Sequence, residues 1–186
     1  VLLLPLWLLV ECENPVIIEF IHTKPMHDRN RLECAIRLFE ERDAEQIAQL
    51  FHDTVREINI RDYSSNQVRA WAPDNIYFRD WVKVCSSRFT YIADDMGIIV
   101  GFGELEANGH IDCFYCHKNY QGCGIGKQIY RAIETKAVEL SLNRLFVEVS
   151  ITAKPFFQRM GFSIVQKQEV TCRGESFVNY VMEKSL

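Results

Sequence analysis

Apolar positions recur along this chain with two periods. Ile125, Ile129, Ala132, Ile133, Ala137 and Leu140 fall on one stripe at helical spacing and predict a long amphipathic helix. Ile47, Leu50, Phe51, Val55 and Ile58 predict another, with Asp43 as its cap and Gln46 three residues on. β-branched and aromatic runs predict strands at Cys34–Phe39, Arg88–Ala93, Ile98–Leu105, His110–Cys116, Leu145–Val149, Phe162–Val170 and Ser176–Met182. Asp94–Gly97, Ala107–Gly109 and Arg173–Gly174 supply the turns. Ser64 is read as the cap of a short helix reaching Trp71, which Pro73 ends; Asp74 is read as capping a further turn or two with Ile76, Trp81 and Val82. Thr152, Pro155 and Gly161 bracket one more short helix. A meander followed by β-α-β-α-β-β predicts an α/β (α+β) fold, a mixed and mostly antiparallel sheet flanked by helices.

The stretch Tyr120-Gln121-Gly122-Cys123-Gly124-Ile125-Gly126-Lys127 lies between a predicted strand and the long helix. Glycines there let successive backbone N–H groups face one concavity, and the helix start adds unpaired N–H groups and a positive dipole end. Such a place suits a diphosphate; a plain tight turn would use the same residues. The P-loop spacing fails at Gln121 and Gln128, and a dinucleotide fingerprint from Gly124 fails at Ile129. The pattern that fits is Gln-x-x-Gly-x-Gly, at Gln121, Gly124 and Gly126.

Composition narrows the class. The 186 residues suffice for one domain with a sizeable core, and 48% hydrophobic content argues against disorder. A net charge of -4 and scattered basic residues give a nucleic-acid partner no support. Lys118, Lys127 and Arg131 flank the glycine loop and are candidates to meet phosphates. The apolar run Val1–Val10 is too short to span a bilayer, and Glu11, Cys12 and Glu13 follow it where a signal peptide needs small residues. Residues 1–33 are therefore read as an extension outside the core domain, and no membrane partner is expected. Seven cysteines at irregular spacing argue for a reducing cytoplasm rather than a disulfide framework. Cys113-Phe114-Tyr115-Cys116-His117 spells a haem-attachment signature, but residues three apart on a strand point to opposite faces, so neither haem nor metal is expected.

After the predicted strand at 145–149 comes Ser150-Ile151-Thr152-Ala153-Lys154-Pro155-Phe156-Phe157-Gln158-Arg159-Met160-Gly161-Phe162. Together the two blocks resemble the GNAT superfamily of N-acetyltransferases. Its acetyl-CoA loop reads Gln-x-x-Gly-x-Gly, and its next block is matched by Ala153, Phe156, Gly161 and Phe162. Ser150 stands where that block has Asn, and Phe157 where it has Tyr. Asp62-Tyr63-Ser64 and Ala70-Trp71-Ala72-Pro73 resemble the bacterial YafP-like subgroup. The resemblance covers roughly Cys34 to the C-terminus, so the GNAT domain is set at residues 34–186.

The resemblance implies a site and a reaction, the transfer of an acetyl group from acetyl-CoA to an amine. Gln121 and Gly122 to Lys127 (Gly122, Cys123, Gly124, Ile125, Gly126, Lys127) would hold the diphosphate; Ser150 and Phe157 would lie beside the bound molecule. Backbone groups of Phe114, Tyr115 and Cys116 would bind the pantetheine arm, with an N–H near Cys116 facing the developing oxyanion. The base falls on His110, with Asp112 on the same strand face to orient it; Glu104 and Glu148 are reserves. Phe157 has no proton for the leaving thiolate, so Tyr63, Tyr115, Tyr120 or water must substitute. Tyr63, Trp71 and Trp81 are candidates for the acceptor wall. The acceptor, a small-molecule or protein amine, stays open, as does self-association into a homodimer. The alternative function is a non-catalytic CoA-binding sensor on the same fold.

Overall fold

The structure is a computed structural model that describes residues 34–186; the reading of residues 1–33 as an extension lies outside the described residues. Seven strands form one sheet in the order β1-β2-β3-β4-β5-β7-β6. They are β1 (Ala35–Leu38), β2 (Phe89–Asp95), β3 (Ile98–Leu105), β4 (His110–Cys116), β5 (Arg144–Ser150), β6 (Ser163–Cys172) and β7 (Glu175–Ser185). All neighbours are antiparallel except β4 and β5. The helices are α1 (Ala44–Glu57), α2 (Ser65–Trp71), α3 (Trp81–Ser86), α4 (Ile125–Glu139) and α5 (Lys154–Arg159). The expected mixed sheet and element order are therefore present. No helix among the described residues is long and apolar enough to cross a membrane.

Two cores sandwich the sheet. On one face Ile125, Ile129, Ile133 and Ala137 of α4 and Phe157 of α5 pack on Val100, Leu105, Ile111 and Leu145. On the other, Ile47, Phe51 and Val55 of α1, Val68 of α2 and Trp81 of α3 pack on Ile92, Ile99, Phe102 and Cys113. Gly101 and Gly103 let α4 lie close on β3. A Cβ there would come within 2.8 Å of Ile129, closer than packed side chains allow.

Three caps differ from expectation, each because a tertiary partner claims the side chain. Asp43 makes no side-chain cap to α1; its carboxylate accepts from the Glu40 N–H at 2.8 Å and from Arg37. Gln46 instead bridges to the β2–β3 turn, accepting from the Ile99 N–H and donating to the Gly97 carbonyl. Asp80, not Asp74, caps α3, while Asp74 receives Arg56. Thr152 donates to Asp62, and Ser150 Oγ accepts the Ala153 N–H at the start of α5. Ser64 does cap α2, in a reciprocal box with Gln67.

Candidate active site

β4 and β5 pair at only two positions, His110 with Phe146 and Ile111 with Val147. Beyond these the strands diverge, and a cleft of about 770 Å³ opens between them. Asp112, Phe114, Tyr115 and Cys116 line it from β4, and Val147, Glu148, Val149 and Ser150 from β5. It runs from the glycine loop, on the α4 face, to Ile58, Asn59 and Trp71 on the α1–α2 face, so it pierces the sheet.

The head of the cleft is the loop that opens α4. Gly122 and Gly124 have φ of +76° and +82°, a left-handed conformation that glycine adopts freely. No atom lies within 4 Å of where a Cβ would stand at either residue, so the backbone faces open space. Gly126 is different: a Cβ there would meet the Phe156 ring at 3.1 Å. Gln121 Nε2 donates to the Cys116 carbonyl at 2.6 Å, which ties the loop to the end of β4. Cys123 and Ile125 turn their side chains into the core. Burial pushes the Cys116 thiol up to about 12, although the Gly126 N–H bonded to it pulls the other way. Lys127 and Arg159 line the cleft and have no acidic partner among the described residues. Lys118 is committed elsewhere, to Asp53 at 3.1 Å and to Glu57 on α1; Arg131 does not line the cleft.

The apex of the cleft is charged. A β-bulge sets Asp112 and Cys113 of β4 opposite the single residue Glu104 of β3. Glu104 is 0% exposed, and burial raises its carboxyl above the ordinary range although Arg79 and Arg88 lie against it. Both guanidiniums also reach Asp112. Burial alone would raise the Asp112 carboxyl, but the two guanidiniums prevail and hold it below its usual value. Oxygen and sulfur atoms of Glu104, Asp112 and Cys113 lie within 4.8 Å of one another, and the guanidiniums supply the positive charge beside them.

His110 and Asp112 are not bonded to each other. His110 Nε2 lies 2.6 Å from Glu148 and Nδ1 lies 3.4 Å from Glu106, while its ring stacks on Phe146 at 5.0 Å. Arg88 joins the two groups, since it also holds Glu106 at 2.8 Å. Glu148 lines the cleft; His110 and Glu104 stand behind the lining. Cys113 and Cys116 do face opposite sides of the sheet, the first packed with the α1-side core and the second with the α4-side core.

No hydroxyl stands at Phe157, which is 1% exposed and rings with Phe114, Phe156 and Phe162 at 5.2–5.5 Å. Tyr63 Oη donates to the Val178 carbonyl at 3.1 Å and accepts the Ile151 N–H at 2.9 Å. Tyr120 Oη contacts Asp95 at 3.4 Å. Burial pushes the Tyr115 hydroxyl well above its ordinary value. Of the expected acceptor wall, Trp71 lines the cleft, whereas Tyr63 and Trp81 are core, 6% and 3% exposed. Arg79, Arg88, Glu106 and Arg159 were not singled out from the sequence. The Arg88–Glu106 pair depends on a bulge between Ala93 and Asp94, which shifts the β2–β3 register so that Phe89 faces Leu105; counting from the turn would have set Arg88 opposite Leu105.

A seven-stranded sheet split between two parallel central strands, with a glycine loop opening a helix at the head of the split, defines an acyltransferase of the GNAT class. The chain belongs to that family: residues 59–184 match the acetyltransferase (GNAT) domain. It is similar to YafP of Escherichia coli (strain K12), described as an uncharacterized N-acetyltransferase, with 31% identity over 148 residues, 79% of this chain and 93% of that one. A GCN5-related N-acetyltransferase crystal structure from Rhodopseudomonas palustris is 32% identical, with a TM-score of 0.78 over 84% of this chain and 98% of that one. PaiA N-acetyltransferase from Thermoplasma acidophilum, solved in complex with coenzyme A, shares the fold at 16% identity, with a TM-score of 0.66 over 83% of this chain and 100% of that one. The protein is an N-acetyltransferase.

Proposed function

We propose that the protein moves an acetyl group from acetyl-CoA to a primary amine. The observation that carries this reading is the cleft through the sheet, with a phosphate-suited loop at one end and an imidazole–carboxylate pair at the other. The residues present suit a CoA thioester. Left-handed Gly122 and Gly124 leave backbone N–H groups uncovered beside the N-terminus of α4, and Lys127 and Arg159 are free to meet phosphate. Past Ile111, the β4 backbone groups on the β5 side have no strand partner, which suits the amide-bearing pantetheine arm. The Thermoplasma PaiA structure holds coenzyme A, which supports the same ligand here.

CoA supplies the activated acyl thioester; the chain's residues position it and handle protons. His110 belongs to the proton-accepting group, in the company of Glu148 rather than of Asp112. Phe157 offers no acid, and the hydroxyls of Tyr63 and Tyr120 are engaged, which leaves water or the protonated Tyr115 hydroxyl in the cleft wall to supply the departing thiolate. That thiolate is a tolerable leaving group without help. Release of free thiol from acetyl-CoA, followed with a panel of primary amines, tests the reading. Amine-dependent thiol release is the expected result. Acetyl-CoA that neither binds nor turns over would end it.

A further inference from the structure

We propose that Glu148 takes the proton from an alkylammonium acceptor, and that His110 and Glu106 form the relay that carries this proton away; the inference rests on the acetyl-transfer reading above. Two carboxylates line the apex of the cleft, Asp112 and Glu148, and their surroundings differ. Asp112 accepts from two guanidiniums, Arg79 and Arg88, and is held in its ionised form. Its lone pairs are engaged and it is a weak base. Glu148 has no cation of that kind. Its neighbour is the His110 imidazole, 2.6 Å away, and its side chain is 39% exposed toward the cleft.

The imidazole is built to pass a proton on. Nε2 is hydrogen-bonded to Glu148, Nδ1 lies 3.4 Å from Glu106, and the ring stacks on Phe146. A proton received at Nε2 is matched by one released from Nδ1, so the ring moves charge without turning. Glu106 is itself anchored by Arg88 and is 28% exposed, which gives the proton an exit to solvent. Four carboxylates stand around the apex; Glu104, Glu106 and Asp112 meet the two guanidiniums and Glu148 does not, which leaves an excess of negative charge that draws a cation. The acceptor side of the cleft adds Trp71 and Ile58, an apolar wall for an alkyl body.

The acceptor arrives as an ammonium, since alkylamines titrate near roughly 10. One N–H proton passes to Glu148 and leaves through His110 and Glu106. The neutral nitrogen bonds to the acyl carbon, the carbon–sulfur bond breaks with its electron pair on sulfur, and the second nitrogen proton ends on that sulfur through water. Products are the amide, CoA thiol and one proton in solution.

The test compares n-hexylamine, protonated at pH 7.5, with p-anisidine, neutral there, by thiol release from acetyl-CoA. Glu148→Gln is expected to lower kcat/KM for hexylamine by roughly 10²–10⁴-fold, the range for loss of a general base, with the KM for acetyl-CoA within about twofold. The loss is expected to be clearly smaller for p-anisidine, which has no ammonium proton to lose. A merely structural role would lower both rates alike. His110→Asn and Glu106→Gln should show the same contrast between amines at smaller size, and they carry the test if Glu148→Gln does not fold. Equal losses for the two amines, or none, overturn the assignment. Acetyl-CoA binding with p-anisidine accepted and hexylamine refused overturns the acceptor class. Loss of acetyl-CoA binding in the wild type would fail the underlying function instead.

Discussion

A single side chain shows how far local reading reaches. Asp43 stands where a helix cap belongs, yet its 3%-exposed carboxylate is spent on Arg37, which also holds Asp94 at 3.0 Å. Burial pushes the Asp43 carboxyl up, but Arg37 and the Glu40 N–H outweigh it, so the group sits below its ordinary value of 3.8. A depressed carboxyl stabilises the fold above its unfolded value, and that contribution is lost as pH falls through the folded one. Asp43→Asn should therefore cost roughly 1–3 kcal/mol at neutral pH, since Arg37 loses one partner and keeps another. The gap between variant and wild type should close as pH falls below about 4. Urea unfolding across pH 3 to 7 measures this, and a gap independent of pH would show that charge is not what the residue contributes.

At the scale of elements, the three consecutive residues Asp62-Tyr63-Ser64 tie distant parts of the chain together. Asp62 receives Thr152 at 2.7 Å, Tyr63 joins Ile151 to Val178, and Ser64 starts α2. Gln67, its partner in the capping box, reaches on to the Ser176 carbonyl at 2.6 Å. The block thus straps α2 to the β5–α5 loop and to β7, across the rim of the cleft. Tyr63→Phe would leave the half-buried Ile151 N–H without its acceptor and should cost about 1–2 kcal/mol, read as a lower urea midpoint; an unchanged midpoint would mean that water replaces the hydroxyl. The glycine loop supports a second contrast. Gly124→Ala meets no neighbour and should cost only about 1–2 kcal/mol, from its left-handed backbone. Gly126→Val must displace the Phe156 ring, so it should lower both stability and acetyl-CoA affinity. Calorimetric titration and thermal melting of the two variants separate these effects. If Gly126→Val melts like wild type, the ring yields more easily than close packing implies.

For the whole molecule, the decisive event is the parting of β4 and β5 after two paired residues. A central sheet that opens leaves backbone groups and apolar walls waiting for a ligand, and a ligand that binds only the folded chain stabilises it. Acetyl-CoA at a hundred times its Kd should add about 2.7 kcal/mol, or roughly 5–10 °C in Tm for a chain of this size. β1 begins at Ala35, so a protein shortened to residues 34–186 should keep this shift. Differential scanning fluorimetry with acetyl-CoA, and with ATP as control, decides both points; equal shifts from the two ligands would mean nonspecific phosphate binding.

Much of this architecture was legible along the chain. The stripe from Ile125 to Leu140, the run Ile98–Leu105, the Ser64 cap and the glycine loop rest on residues a few positions apart, so period and spacing suffice to read them. The Gln-x-x-Gly-x-Gly order already pointed to the head of the cleft. The apex was not legible in that way. His110 and Glu148 lie 38 residues apart and Arg79 and Asp112 lie 33 apart, and no local pattern pairs them. One extra residue in β4, the bulge at Asp112 and Cys113, sends Asp112 to the guanidiniums and leaves His110 to Glu148. Local sequence chose the elements, because their hydrogen bonds and caps close over short spans. Register and packing chose which charges meet, because a one-residue shift within a sheet changes every partner that follows it.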